Sequence, residues 1–114
     1  MQQSNALDAL SALANATRLE LVRTLIGAGH DGLAASEIAA RLGVSASRLS
    51  FHLASLEQAG LITSRRVSRH IYYAADPAGL GQLISYLLND CCGAHPEVRA
   101  CCAPTAGVTR TPGP

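Results

Sequence analysis

The stretch from Ser36 to Gly60 constrains the fold more than any other. Ser36 is placed to cap a helix, with Glu37 in the first turn where a negative charge is favourable. Ile38, Ala39 and Leu42 give that helix one apolar face, Gly43 ends it, Val44 fills the turn and Ser45 caps a second helix at once. A short helix, a Gly-containing turn and a second capped helix form the helix-turn-helix pattern. The second helix runs from about Ser45 to Ala59, with Leu49, Leu53 and Leu56 as its buried stripe. At about 100° per residue the opposite face carries Ser47, Phe51, Ser55 and Gln58, flanked by Arg48 and His52. Gly60 terminates the helix.

The flanking segments complete a small domain. Ala6, Leu7, Leu10, Leu13 and Ala14 predict a first helix over Asn5 to Ala14 with a narrow apolar face. Leu19, Val22, Leu25 and Ile26 predict a second over Ala16 to Ala28, leaving Arg18, Glu20 and Arg23 off the stripe. After Gly60, the runs 61–67 and 69–74 are rich in β-branched and aromatic residues, with Ser68 near the bend; they predict a two-stranded hairpin with a basic tip. Such a ribbon is marginal alone and must pack on the helices. Asp76-Pro77 then opens a last helix as cap and first residue. Leu80, Leu83, Ile84, Leu87, Leu88 and Cys91 fall on one stripe of it, and Gly93 and Pro96 end it. The expected class is mainly α with a small β hairpin, a winged helix-turn-helix in the order α-α-α-α-β-β-α. Residues 1–92 form the domain, 93–102 a cysteine-containing loop and 103–114 a disordered tail.

At 114 residues one domain is expected, with a core small enough for dimerisation to help. Hydrophobic residues make up 48% of the chain but include one Phe, three Tyr and no Trp, so the core is aliphatic. No apolar run is long enough to span a membrane. The start, Met1-Gln2-Gln3-Ser4-Asn5, lacks the basic and apolar features of a signal peptide, which predicts a cytoplasmic location with reduced cysteines. The net charge of +1 says nothing about nucleic acid, but its distribution does: Arg41, Arg48, Arg65, Arg66 and Arg69 face only Glu37 and Glu57 between residues 36 and 74. All the basic residues are Arg, whose planar fork suits phosphate and guanine. Ser47, Arg48, Ser50, Phe51 and His52 on the second helix, with Arg65, Arg66 and Arg69 on the hairpin, are therefore candidate DNA contacts. Phe51 is open to two readings, a thymine-methyl contact or packing on the hairpin.

These residues carry a family resemblance. Asn15-Ala16-Thr17-Arg18-Leu19 resembles the "N-P-x-R-L" stretch of ArsR-type (arsenical-resistance) repressors, with Ala16 where Pro is usual. Leu49-Ser50-Phe51-His52-Leu53-Ala54-Ser55-Leu56-Glu57-Gln58-Ala59-Gly60-Leu61-Ile62 is similar to that family's "LSxHLxxLxxAGLV" signature. The resemblance covers about residues 5–92. It implies a homodimeric winged-helix repressor, joined through its first and last helices, that binds a palindromic operator and leaves it when a metal or metalloid binds. It also implies that Ser47, Arg48, Ser50 and His52 meet DNA and that Arg65, Arg66 and Arg69 lie on the wing.

Cys91, Cys92, Cys101 and Cys102, two adjacent pairs within twelve residues, are all the cysteines of the chain. In a reducing compartment such a cluster reads as metal ligands or redox groups before structural disulfides. Of the effector sites used in the resembling family, a Cys-x-Cys at the first helix of the helix-turn-helix is absent from residues 33–39. An Asp/His zinc site on the last helix is absent too, since that helix has Asp76 and Asp90 but no His. The cluster is similar to the subgroup with adjacent cysteines after that helix, which senses trivalent arsenic. Soft, three-coordinate As(III) or Sb(III) is matched by thiolates. Cys91 and Cys92 with one of Cys101 and Cys102, Cys101 slightly preferred, would close a pyramidal site. A zinc site of four thiolates and a redox or reactive-sulfur switch stand as alternatives. A thiol oxidoreductase is disfavoured, because no C-x-x-C stands at a helix start.

Overall fold

The computed structural model describes residues 1–102; the tail expected over 103–114 lies outside the described residues, as do the side chains of Cys101 and Cys102. The chain runs α1 (Gln3–Leu13), α2 (Ala16–Ala28), β1 (Leu33–Ala34), α3 (Ala35–Leu42), α4 (Ala46–Gln58), β2 (Ile62–Val67), β3 (His70–Ala75) and α5 (Pro77–Ser85). A π-helical turn (Tyr86–Cys91) and α6 (Pro96–Cys102) complete it.

The helix-turn-helix forms where the sequence places it. Gly43 adopts φ 66°, a left-handed cap that costs a residue without Cβ little, and its amide bonds to the Ala39 carbonyl at 2.9 Å. Ser45 caps α4, its Oγ accepting from the Arg48 amide at 3.3 Å. Asn15 and Asp76 cap α2 and α5 in the same way, accepting from the Arg18 amide at 3.1 Å and the Gly79 amide at 3.2 Å. The cap of α3 differs from expectation. Ser36 lies inside the helix, because Leu33 and Ala34 are drawn into a strand and α3 starts at Ala35. Glu37 Oε1 reaches back to the Ala34 amide at 3.1 Å instead.

That strand makes the expected two-stranded ribbon a three-stranded antiparallel sheet, in the order β1-β3-β2. Leu33 pairs with Tyr73 and Ala34 with Tyr72, while β2 and β3 run from Ile62↔Ala75 to Val67↔His70. The tip is a two-residue turn, Ser68-Arg69, with Ser68 at φ 59°. Gly32 docks β1: it has φ 71°, and a Cβ there would overlap the Tyr73 carbonyl.

The core is aliphatic. Leu21 and Leu25 of α2, Ile38 of α3, Leu49 and Leu56 of α4, and Leu61 and Ile62 at the start of the wing are fully buried. The expected stripes of the first two helices hold in part: Ala6 of α1 and Val22 and Leu25 of α2 are buried, Leu13 packs partly on the core, and the other members shift. α1 buries Ala6, Ala9 and Ala12 rather than its leucines, and Leu7 is 55% exposed. In α2, Leu21 is buried while Leu19 and Ile26 are exposed. Alanines let α1 lie close against its neighbours, and Leu7 and Leu10 then face outward. The last helix also departs from expectation: of its stripe only Leu83 is buried, Ile84 is exposed, and α6 stands where residues 93–102 were expected to be a loop. Among the described residues no helix is long and apolar enough to cross a membrane.

Two glycine substitutions should move stability in opposite directions in urea melts. Gly32→Ala is expected to destabilise by about 1–3 kcal/mol through left-handed strain and overlap with β3. Gly27→Ala, in the last turn of α2 with open space at its Cβ, is expected to stabilise by about 0.4–1 kcal/mol, by narrowing the freedom of the unfolded chain.

Candidate nucleic-acid interface and thiol site

The cap at Ser45 and the buried leucines fix the roll of α4, and the roll decides which side chains it shows. Ser47, Arg48, Ser50 and Phe51 are exposed, as the sequence predicts. Ser47, Arg48, Phe51 and His52 line a shallow concavity on this face. His52 departs from expectation: it is 7% exposed and faces the scaffold, not solvent. Its Nδ1 accepts from Nε of Arg18 at 3.1 Å. Burial first, then the charges of Arg18 and Arg48, push the imidazole below its ordinary range. A neutral ring with its proton on Nε2 is the form that accepts at Nδ1.

Phe51 lies against Arg18. The guanidinium carbon of Arg18 lies 5.4 Å from the ring centroid, and the His52 ring meets Phe51 edge-on at 5.7 Å. The outer part of Phe51 stays open, at 64% exposure. Sequence reasoning leaves Arg18 on the solvent side of α2. No local signal reveals its role, because its hydrogen-bond partner His52 lies 34 residues away.

The wing divides its arginines. Arg65 stacks over Tyr72, its cross-strand partner, at 5.2 Å, and donates from Nη2 to the Asp31 carbonyl at 2.8 Å. It fastens the wing to the loop before β1. Ser64 donates to Glu57 Oε2 at 2.6 Å, tying the wing to the end of α4. Among the described residues, Arg48, Arg66 and Arg69 donate no side-chain hydrogen bond and form no salt bridge, so their cations face outward.

The thiols lie at the far end of the chain's last long helical run. Periodicity puts Cys91 on the apolar stripe of that helix. It is exposed instead, because the run turns π-helical at Tyr86 and the extra residue per turn rotates the positions beyond it. Leu87 stays partly buried against the core and accepts the Cys92 amide at 3.1 Å. Cys91 and Cys92 are free and exposed. The Cys91 thiol, by hydrogen bond first and then with slight desolvation and its charge, pushes the Cys92 thiol up, so the resting pair resists losing both protons. Gly93 and Ala94, at φ 60° and 57°, then reverse the chain. α6 returns beside the π turn, where Arg99 donates to Asn89 Oδ1 at 3.3 Å and Asn89 donates to the Ser85 carbonyl at 3.0 Å. His95 Nδ1 accepts the Glu97 amide at 3.2 Å and so serves the start of α6. Among the described residues no three His, Cys, Asp or Glu side chains converge on a common point.

This architecture matches known proteins. A family model described as a helix-turn-helix domain matches residues 13–65. A Halobacterium salinarum protein described as a putative arsenical resistance operon repressor is 37% identical over 89 residues, covering 78% of this chain and 72% of the relative. The structure of an ArsR-like transcriptional regulator from Rhodococcus sp. RHA1 superposes with a TM-score of 0.69 at 32% identity, covering 86% of this chain and 88% of that one. A homodimeric winged helix-turn-helix DNA-binding domain from Mycobacterium bovis superposes with a TM-score of 0.60 at 26% identity, covering 81% and 85%. Sequence identity of this extent, over a shared winged helix-turn-helix, places the chain in the ArsR family of transcriptional regulators.

Proposed function

We propose that this regulator is a cytoplasmic metalloid-responsive repressor. It binds operator DNA as a homodimer and releases it when trivalent arsenic, or antimony, binds the C-terminal cysteines. The observation that carries the reading is the joining of two features in one chain. A winged helix presents Ser47, Arg48, Ser50 and Phe51 outward, and two free, exposed, adjacent thiols stand at the end of the run that begins with α5. The relative described as an arsenical resistance operon repressor supports the choice of ligand.

DNA binding follows from the geometry of α4 and the wing. α4 enters the major groove with Arg48 and its serines towards phosphates and base edges. Arg66 and Arg69 at the wing tip reach the backbone, Arg65 holds the wing in place, and His52 supports the reading face from behind. Dimerisation is favoured by the apolar surface that one copy leaves uncovered. Leu7 and Leu10 of α1 and Ile84 of α5 are exposed apolar side chains on the first and last helices. A second copy that covers them sets two α4 helices about 34–36 Å apart, one turn of DNA.

The thiols supply the switch. Cys91, Cys92 and one of Cys101 and Cys102 provide the three soft donors that As(III) takes. Binding there pulls on the π turn and α5, changes the pairing of the two copies and so spoils the spacing of the α4 helices. The coupling needed is of ordinary size, about 1–3 kcal/mol.

In fluorescence anisotropy with a labelled operator duplex, arsenite is expected to release wild-type protein, while Cys91→Ser binds the duplex equally well and stays bound. Normal release of Cys91→Ser by arsenite rules the model out. Arg66→Ala and Arg69→Ala are each expected to weaken binding and to lower the salt-dependence slope by about 1, as loss of one phosphate contact does. Arg65→Ala should differ by also lowering the thermal midpoint, because it unfastens the wing from Asp31 and Tyr72.

A further inference from the structure

The reading helix is gripped from behind by one cation of the scaffold. Arg18 stands in the first turn of α2, next to the Asn15 cap, and reaches across to α4. There it holds two consecutive residues. It donates to Nδ1 of buried His52 at 3.1 Å and covers a face of Phe51 at 5.4 Å. The hydrogen bond is directional, the cation lies over the ring, and both use the same guanidinium. Together they leave α4 little freedom to roll on α2.

Arg18 also lines the cleft between α1 and α4 with Asp8, Ser11, Ser55 and Gln58. Its own guanidinium is turned to His52 and Phe51 rather than outward. We propose that Arg18 is a positioning residue for DNA reading, which fixes the tautomer of His52 and the orientation of Phe51 and thereby holds the face carrying Ser47, Arg48 and Ser50 in the roll that the buried leucines set. The inference rests on α4 being the DNA-reading helix.

Acid should undo the grip. Protonation puts a proton on Nδ1 of His52, opposite the Nε–H of Arg18, so two donors and two cations then face each other. The charges acting on His52 are Arg18 from α2 and Arg48 from α4, and both oppose its protonation. Burial holds His52 below its ordinary range in the folded chain, so the unfolded chain binds the proton more readily. The contribution of the neutral ring to stability is therefore complete above the ordinary histidine range and is lost as pH falls from that range through the lowered value of His52 in the folded chain. Selective DNA binding should fall over the same side of the titration.

The test uses a duplex enriched by the wild-type protein from a randomised pool, and a scrambled duplex of the same composition. Arg18→Ala is expected to lower discrimination between the two about tenfold, as loss of a coupled contact does, with the salt slope unchanged. His52→Asn keeps an acceptor near the Nδ1 position and cannot titrate. Whatever its level of discrimination at neutral pH, this variant should lose the decline in acid. Adding Arg18→Ala to His52→Ala should cost little beyond either change alone. In the free protein, the His52 titration followed by NMR should move up towards the ordinary value in Arg18→Ala. Unchanged discrimination in Arg18→Ala overturns the proposal. So does an equal loss on both duplexes with the salt slope reduced by about 1, which marks a phosphate contact. So does an unmoved His52 titration. Failure of the wild-type protein to discriminate between any duplexes instead overturns the DNA-reading role of α4, and it is read before any variant is made.

Discussion

One helix has to be core on one side and reader on the other, and the rest of the molecule is arranged to keep those sides apart. α4 has thirteen residues and buries Leu49, Leu53 and Leu56. Each such side chain is worth about 1.5–3 kcal/mol when removed from water, so the inward face fixes the roll of the helix. Both ends are held as well. Ser45 caps the start, and the Leu61 amide returns to the Leu56 carbonyl at 3.1 Å past Gly60, whose φ of 78° admits that turn. With roll and ends fixed by other groups, Ser47, Ser50 and the Arg48 guanidinium have little structural work of their own.

The sequence is most legible where a local signal and the packed structure ask for the same thing. Asn15, Ser45 and Asp76 are caps because a short side-chain oxygen sits before an apolar period, and tertiary packing has no reason to move them. Leu33–Ala34 carries no such signal: two residues have no period, and the strand exists only because β3 arrives beside it some forty residues later. His52 is misplaced by its polarity, not by its angle. It lies three residues after Leu49 and four before Leu56, within the buried arc of the helix. The arc is readable, whereas the partner that makes a buried imidazole tolerable, Arg18, is not. Composition puts Arg65 on the DNA-facing wing, but a carbonyl and a tyrosine ring claim it first.

The partly shifted stripes of α1 and α2 have a different cause. Periodicity identifies apolar residues but not what covers them. α1 offers one face of alanines and another of leucines, and in a single copy the alanines win because they let the helix approach closely. Leu7 and Leu10 are then surplus to the monomer. For a chain of 114 residues, whose core is necessarily small, uncovered apolar area at about 25 cal/mol per Å² is a substantial unused stabilisation. Ile84 of α5 adds to that area, at 50% exposure. The sequence pattern thus encodes two interfaces at once, one closed within the chain and one left for a second copy in the proposed dimer.

The thiol pair completes the proposed switch through what it is at rest. A ligand shifts a conformational equilibrium only as far as its affinities for the two states differ, so the empty site must not already favour the released state. The hydrogen bond with Cys91 pushes the Cys92 thiol up, against a second negative charge at a helix end where the backbone dipole is itself negative. A soft ion changes this by displacing the protons and drawing the sulfurs together. The pull falls on a π turn, a rare departure from regular α-helix, and it runs through the bond from the Cys92 amide to the Leu87 carbonyl into a residue that touches the core. One turn further back are Leu83, anchored in that core, and Ile84, facing out. The irregular turn between the thiols and these two residues is therefore where a movement of sulfur becomes a movement of the outer face of α5.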